Sequence, residues 1–158
     1  MVLEWLRQAA VNDVIWVAVV AGTLAQFLKP LTYWLRTREF DWHHLAATGG
    51  MPSSHSALVS ALGMGIGIDQ GFDSPYFALA LIMSMVVVYD AQGVRRQAGE
   101  HAYAINVIIA ELLSGHEIEE RHFQEVLGHS KLEVAGGILF GIAIMLLWKF
   151  GIQPVFLR

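Results

Sequence analysis

Gly49-Gly50-Met51-Pro52-Ser53-Ser54-His55-Ser56 runs without a break into an apolar stretch that lasts to Ile68. A turn of small residues followed by such a run predicts the entrance to a buried helix. A helix start exposes backbone N–H groups with no partner inside the helix and carries a partial positive charge. Hydroxyls and an imidazole delivered there suit an anion such as phosphate.

Outward from this stretch the chain repeats the same apolar character. Four segments read as membrane spans, roughly Val11 to Leu28, Ser53 to Ile68, Tyr76 to Tyr89 and Leu132 to Phe150. The second and third have short apolar cores, which suits helices tilted among others or locally shallow. Composition agrees: 55% of residues are hydrophobic and 15% charged, and the mean hydropathy is +0.49. The fold class expected is an all-α, polytopic membrane bundle of about four spans, in a single domain covering residues 1–158. Between the third and last spans, residues 94–113 read as an interfacial or re-entrant helix, and residues 114–131 as a polar loop or solvated helix. Arg7 ahead of the apolar run at Val14 resembles a signal peptide, but no cleavage site precedes the polar Gln26 and Lys29.

Several function classes drop out. The chain has no cysteine, so disulfides, thiolate metal sites and thiol nucleophiles are excluded. A net charge of −4 with no long basic run argues against nucleic acid. Gly63-x-Gly65-x-Gly67 lies inside an apolar span without the strand–turn–helix context of a nucleotide loop, so it reads as a helix-packing surface. Gly137-x3-Gly141 reads likewise, and offers a face for a neighbouring helix or a second subunit in a homo-oligomer.

Lys29, Arg36 and Arg38 follow the first span, and Arg95 and Arg96 follow the third. The positive-inside bias therefore makes these ends cytoplasmic and both termini external. Trp34 and Trp42 suit the cytoplasmic interface and Trp148 the outer one. Topology alone accounts for such cations in many membrane proteins. Here the same face also gathers Ser53, Ser54, His55, His129 and Glu133. Arginine forks and a lysine point charge suit phosphate oxygens.

Five histidines, His43, His44, His101, His116 and His122, have no acid or motif context and read as interfacial or solvated. His129 differs, because Glu133 follows four residues later. On a helix that spacing lets the carboxylate accept the ring Nδ1–H, leaving Nε2 as base or nucleophile. One face for all these residues requires that residues 94–113 do not cross the membrane.

Together the residues resemble the type 2 phosphatidic acid phosphatase superfamily, which includes vanadium haloperoxidases, and more closely its short membrane branch, the divergent PAP2 family. The superfamily pattern is Lys-x6-Arg-Pro, then Pro-Ser-Gly-His, then Ser-Arg-x5-His-x3-Asp. Here Lys29 has Arg36 seven residues on, with no proline after it, and Arg38 competes for the role. Pro52-Ser53-Ser54-His55 carries Ser54 in place of glycine. The third element is split: Arg95 and Arg96 lie in Asp90-Ala91-Gln92-Gly93-Val94-Arg95-Arg96-Gln97-Ala98-Gly99-Glu100, while the histidine comes in Leu127-Gly128-His129, with Glu133 for the aspartate. His101 stands at the usual interval from Arg95, but Ile105 occupies the acid position, so His129 is preferred. These blocks span most of the chain from Lys29 to Val134.

The resemblance implies a phosphatase acting through phosphohistidine. His129, oriented by Glu133, attacks phosphorus; His55 protonates the leaving alkoxide and then activates water. Lys29, Arg36 or Arg38, Arg95 or Arg96, Ser53 and Ser54 hold the phosphate, and Asp90 orients an arginine. No metal or cofactor is expected, and vanadate is expected to inhibit. The expected partners are a lipid phosphate substrate and membrane lipids. Phosphatidylglycerophosphate, giving phosphatidylglycerol, is favoured over phosphatidic acid or a prenyl pyrophosphate, at a cytoplasm-facing site in a bacterial inner membrane or its organelle equivalent. The alternatives are a non-catalytic anion-binding or transport protein, and a CDP-alcohol phosphotransferase. The latter needs several metal-binding aspartates, and Asp90 stands alone.

Overall fold

A computed structural model describes residues 1–45, 49–92, 101–109 and 129–156. Among them the chain is entirely helical. Helix α1, Val2–Ala10, precedes α2, Asp13–Thr37; a 3-10 turn, Trp42–Leu45, leads towards α3, Ser54–Gln70, and α4, Pro75–Gln92. Residues 101–109 form α5. Helix α6, Lys131–Leu146, continues through a π-helical turn, Leu147–Ile152, into α7, Gln153–Phe156.

Local chemistry sets these boundaries. The Asn12 side chain accepts the Ile15 N–H at 3.2 Å to cap α2. Ser74 caps α4 by accepting the Phe77 N–H at 3.1 Å, with Pro75 at the first helical position. Gly71, at φ 93°, ends α3 in a conformation that side chains rarely adopt.

Helix α3 sits in the middle, packed against α2, α4 and α6. Gly65 lies against Val14 and Met145, and Gly67 against Phe72. On α6, a methyl added at Gly141 would meet the Ala57 backbone, and one at Gly137 the Ser53 carbonyl and Ser56. Both glycine series are therefore packing surfaces, as expected, and they let helix backbones approach closely. Val14, Val17, Ala18, Ala21, Ala61 and Met145 form the buried core.

Among the described residues, three helices are long and apolar enough to cross a membrane: Asp13–Thr37, Pro75–Gln92 and Lys131–Val155. Helix α3, at 17 residues, is shorter than these three. Its interior position explains its composition, because a helix sheltered by three neighbours needs small residues more than a long lipid-facing surface.

Two boundaries differ from the expectation. Helix α2 does not end near Leu28 but continues through Pro30 to Thr37, because packing outweighs hydropathy there: Lys29 and Pro30 are buried, and Thr32 joins the following loop. Helix α1 is not anticipated as an element. It is amphipathic, with no buried residue, and has the character of an interfacial helix.

Candidate functional site

The ends of α2 and α4 and the starts of α3 and α6 meet at one end of the bundle. The Gly50–Pro52 loop is clasped between two helices. Thr32 Oγ1 lies in hydrogen-bonding reach of both the Met51 carbonyl and the Lys29 carbonyl on α2, and the Lys29 stem lies against Gly50. On the other side, Met51 lies over Gly136 of α6, and the Ser53 N–H donates to the Glu133 carbonyl at 3.0 Å. Gly50, at φ 95°, gives the loop its sharp turn.

Ser53 is the N-cap of α3. Its hydroxyl accepts the Ser56 N–H at 3.4 Å and the Ser56 hydroxyl at 3.0 Å, and both serines are fully buried. The Ser53 hydroxyl is thus engaged in holding the helix start, while the first N–H groups of α3 begin at the same point.

His129 is buried, with its side chain 1% exposed, and its Nδ1 lies 3.2 Å from Glu133 Oε2. The expected pairing is present, but its cause differs from the expected shared helix face. His129 precedes the N-cap Ser130 and is not helical. Glu133 turns back in a capping box: its backbone N–H donates to Ser130 Oγ at 3.3 Å, and its Oε2 accepts the Ser130 N–H at 3.0 Å. The same oxygen then meets the imidazole. The sequence signal for this was Ser130-x-x-Glu133. The His129 N–H donates to the Ala91 carbonyl at 3.1 Å. The chain therefore leaves α4 and enters α6 at the same end of the bundle.

Lys29 is buried at 3% exposure on α2. Arg36, on the exposed last turn of the same helix, lies seven residues on, close to two turns or about 10 Å along the same face. Arg38 lies beyond the helix end with a left-handed backbone, φ 65°, and is exposed. Asp90 is half-buried near the end of α4. Arg95 and Arg96 lie outside the described residues, as do His116 and His122.

His55 is placed differently from His129. Ser53, Ser56 and Ala57 turn towards α6, whereas Ser54 and Leu58 pack against Gly22 of α2. His55 is exposed and lines a depression between α2, α3 and the 3-10 turn, together with Ser54. The structure thus joins Lys29, Ser53, Glu133 and His129 through one clasped loop and puts His55 on the outward side of the same helix start. Of the remaining histidines, His101 is exposed on α5. His43 does have an acid partner, Asp41, at 2.7 Å in an exposed turn; two positions earlier in the chain, the aspartate can accept the His43 backbone N–H as well.

At the opposite end a second polar cluster escapes the sequence reading. Lys149 Nζ donates to Asp13 Oδ2 at 2.9 Å and Asp69 Oδ2 at 2.7 Å, and Asp13 Oδ2 also accepts Trp148 Nε1 and Gln153 Nε2. The signal was a lysine just inside the end of an apolar span, where a buried charge is rarely without partners.

Residues 10–144 match the model of the divergent PAP2 family. The chain is 36% identical over 144 residues to an uncharacterized membrane protein, YuiD, of Bacillus subtilis (strain 168), covering 84% of this chain and 91% of that one. No solved structure matches.

Proposed function

This chain belongs to the divergent PAP2 family, and from that premise we propose that it is a membrane phosphatase hydrolysing a lipid phosphomonoester through a phosphohistidine. The observation that carries the reading is the buried His129–Glu133 pair, set beside Lys29 and the start of α3. Glu133 holds the ring by Nδ1, so Nε2 is the atom that attacks phosphorus. Lys29, Arg36 and the arginines at 95 and 96 neutralise the transferring phosphoryl group, and the α3 N–H groups receive its oxygens. The cations supply the charge stabilisation that a divalent ion gives other phosphotransfer enzymes. His55 gives its proton to the leaving alkoxide and then takes one from the attacking water.

Helix α3 acts as a fourth, sheltered span, about 25 Å long at 1.5 Å per residue. Both termini are external and the site faces the cytoplasm, by the placement of Lys29, Arg36, Arg38, Arg95 and Arg96. A substrate reaching such a site from the bilayer is a lipid phosphate. Phosphatidylglycerophosphate is the first choice, with phosphatidic acid and prenyl pyrophosphates next.

The test is phosphate release by the purified protein from a panel of these lipids, with and without EDTA and vanadate, beside His129→Ala. Release that persists in EDTA, stops with vanadate and disappears in the variant is expected. Loss with EDTA, or an unaffected His129→Ala protein, overturns the mechanism.

A further inference from the structure

In-line phosphoryl transfer places the attacking and leaving atoms on opposite sides of phosphorus. The first turn of α3 has two such sides. Its Ser53–Ser56 side abuts α6, which follows His129, and its Ser54–Leu58 side abuts α2. His55 opens on the α2 side. A phosphate held over this helix start and attacked from the α6 side therefore directs its leaving oxygen at His55.

A cavity of about 340 Å³ begins there, lined by Val19, Thr23, Phe27, Leu45, His55 and Leu58 among others. That is the lower end of the range for small-molecule sites. Val19, Thr23 and Phe27 recur every four residues and so form one stripe of α2. Val19 and Phe27 are exposed, which leaves the cavity open sideways, towards the bilayer. At its other rim, Gln26 Nε2 donates to the Leu45 carbonyl at 2.6 Å and fixes the 3-10 turn against α2. A second apolar groove of about 320 Å³ runs between α3, α4 and α6, past Gly63, Leu81 and Ser84. It contains no imidazole or other proton donor stronger than a hydroxyl.

Resting on the phosphatase reading, we infer that the lipid body of the substrate occupies the α2–α3 groove, with its alkyl part against Val19, Phe27 and Leu58 and its ester oxygen at His55. The step balances. The His129 Nε2 lone pair forms the N–P bond as the P–O bond to the lipid breaks, and the His55 proton passes to that oxygen, releasing a lipid alcohol. Water then attacks phosphorus, gives a proton back to His55 and releases inorganic phosphate as the N–P bond breaks.

The test uses the full chain in nanodiscs with phosphatidic acid carrying a diazirine in one acyl chain. Labelling competed by unmodified phosphatidic acid, but not by phosphatidylcholine, is mapped by peptide mass spectrometry. Competed label between Val19 and Phe27 is expected. Thr23→Trp should reduce it and raise the KM for dioleoyl phosphatidic acid about tenfold, while Leu81→Trp leaves both unchanged. Competed label around Leu81 and Ser84, sensitivity to Leu81→Trp alone, or copy-to-copy cross-links at Phe27 in place of lipid labelling overturns the assignment. Competed label on α2 in a protein that releases no phosphate from any lipid supports the groove and sinks the enzymatic reading instead.

Discussion

The two ends of the bundle each bury a lysine, and they surround it differently. At the Asp13 end, Lys149 is closed by two carboxylates from two other helices, and Trp148 and Gln153 complete the acceptor. These four hydrogen bonds tie α2 and α3 to the helical segment that follows α6. At the Ser53 end, Lys29 is as deeply buried, but the carboxylate of Glu133 is already shared between His129 and the Ser130 N–H. Arg36 lies on the same helix, about two turns beyond Lys29. One end is a clamp whose charges are spent on each other. The other sets its lysine beside a carboxylate that also caps a helix and holds an imidazole, the arrangement on which the proposed phosphatase reading rests.

Substitutions at the two ends should separate these roles. The largest effect expected is on turnover: His129→Ala should lower kcat by about a thousandfold or more while the melting temperature moves little. A fall in both together would make His129 a structural residue. Lys149→Met should do the reverse, costing about 2–3 kcal/mol of stability in thermal unfolding in detergent. This is less than for a fully buried pair because Asp13 and Asp69 are 28% and 35% exposed. Activity per folded molecule should persist.

A third comparison lies within the seam at the site. Gly137→Ala pushes on the Ser53 carbonyl and Ser56 and should cost about 1–3 kcal/mol, lowering activity with it, whereas Gly136→Ala meets only the flexible tip of Met51 and should be nearly neutral. Equal effects on unfolding would mean that the loop is less tightly clasped than its contacts imply.

Arg36→Gln should raise KM about tenfold, a loss of roughly 1.4 kcal/mol in binding, and Arg38→Gln should not, since only Arg36 follows Lys29 on one helix face. Steady-state kinetics on a single lipid phosphate decides between them. A modest effect belongs to Ser130→Ala, which removes the α6 cap and should cost about 1 kcal/mol in chemical denaturation, with Glu133 less firmly held against His129.

Much of this was legible in advance because it depends on local pattern. Four apolar runs, the Ser53 entrance and the glycine faces all follow from hydropathy and side-chain size. What failed to show depends on partners distant in sequence. Lys149 and its aspartates are separated by 136 and 80 positions, and no spacing rule joins them. The extension of α2 past Pro30 came from contacts with the Met51 loop, which local propensity opposes. The His129–Glu133 contact was expected on a helix and found across a capping box instead, because a histidine just before a helix can be reached by the same carboxylate that caps it.

By itself, then, the sequence determined an all-helical, membrane-type chain and the Pro52-Ser53-Ser54-His55 helix entrance, since apolar periodicity and turn chemistry act over a few residues. Only the tertiary structure decided which side of that entrance each histidine takes. Adjacent positions on a helix point in different directions, and it is the packing of α6 against Ser53 and of α2 against Ser54 that turns those directions into two sides of one helix entrance.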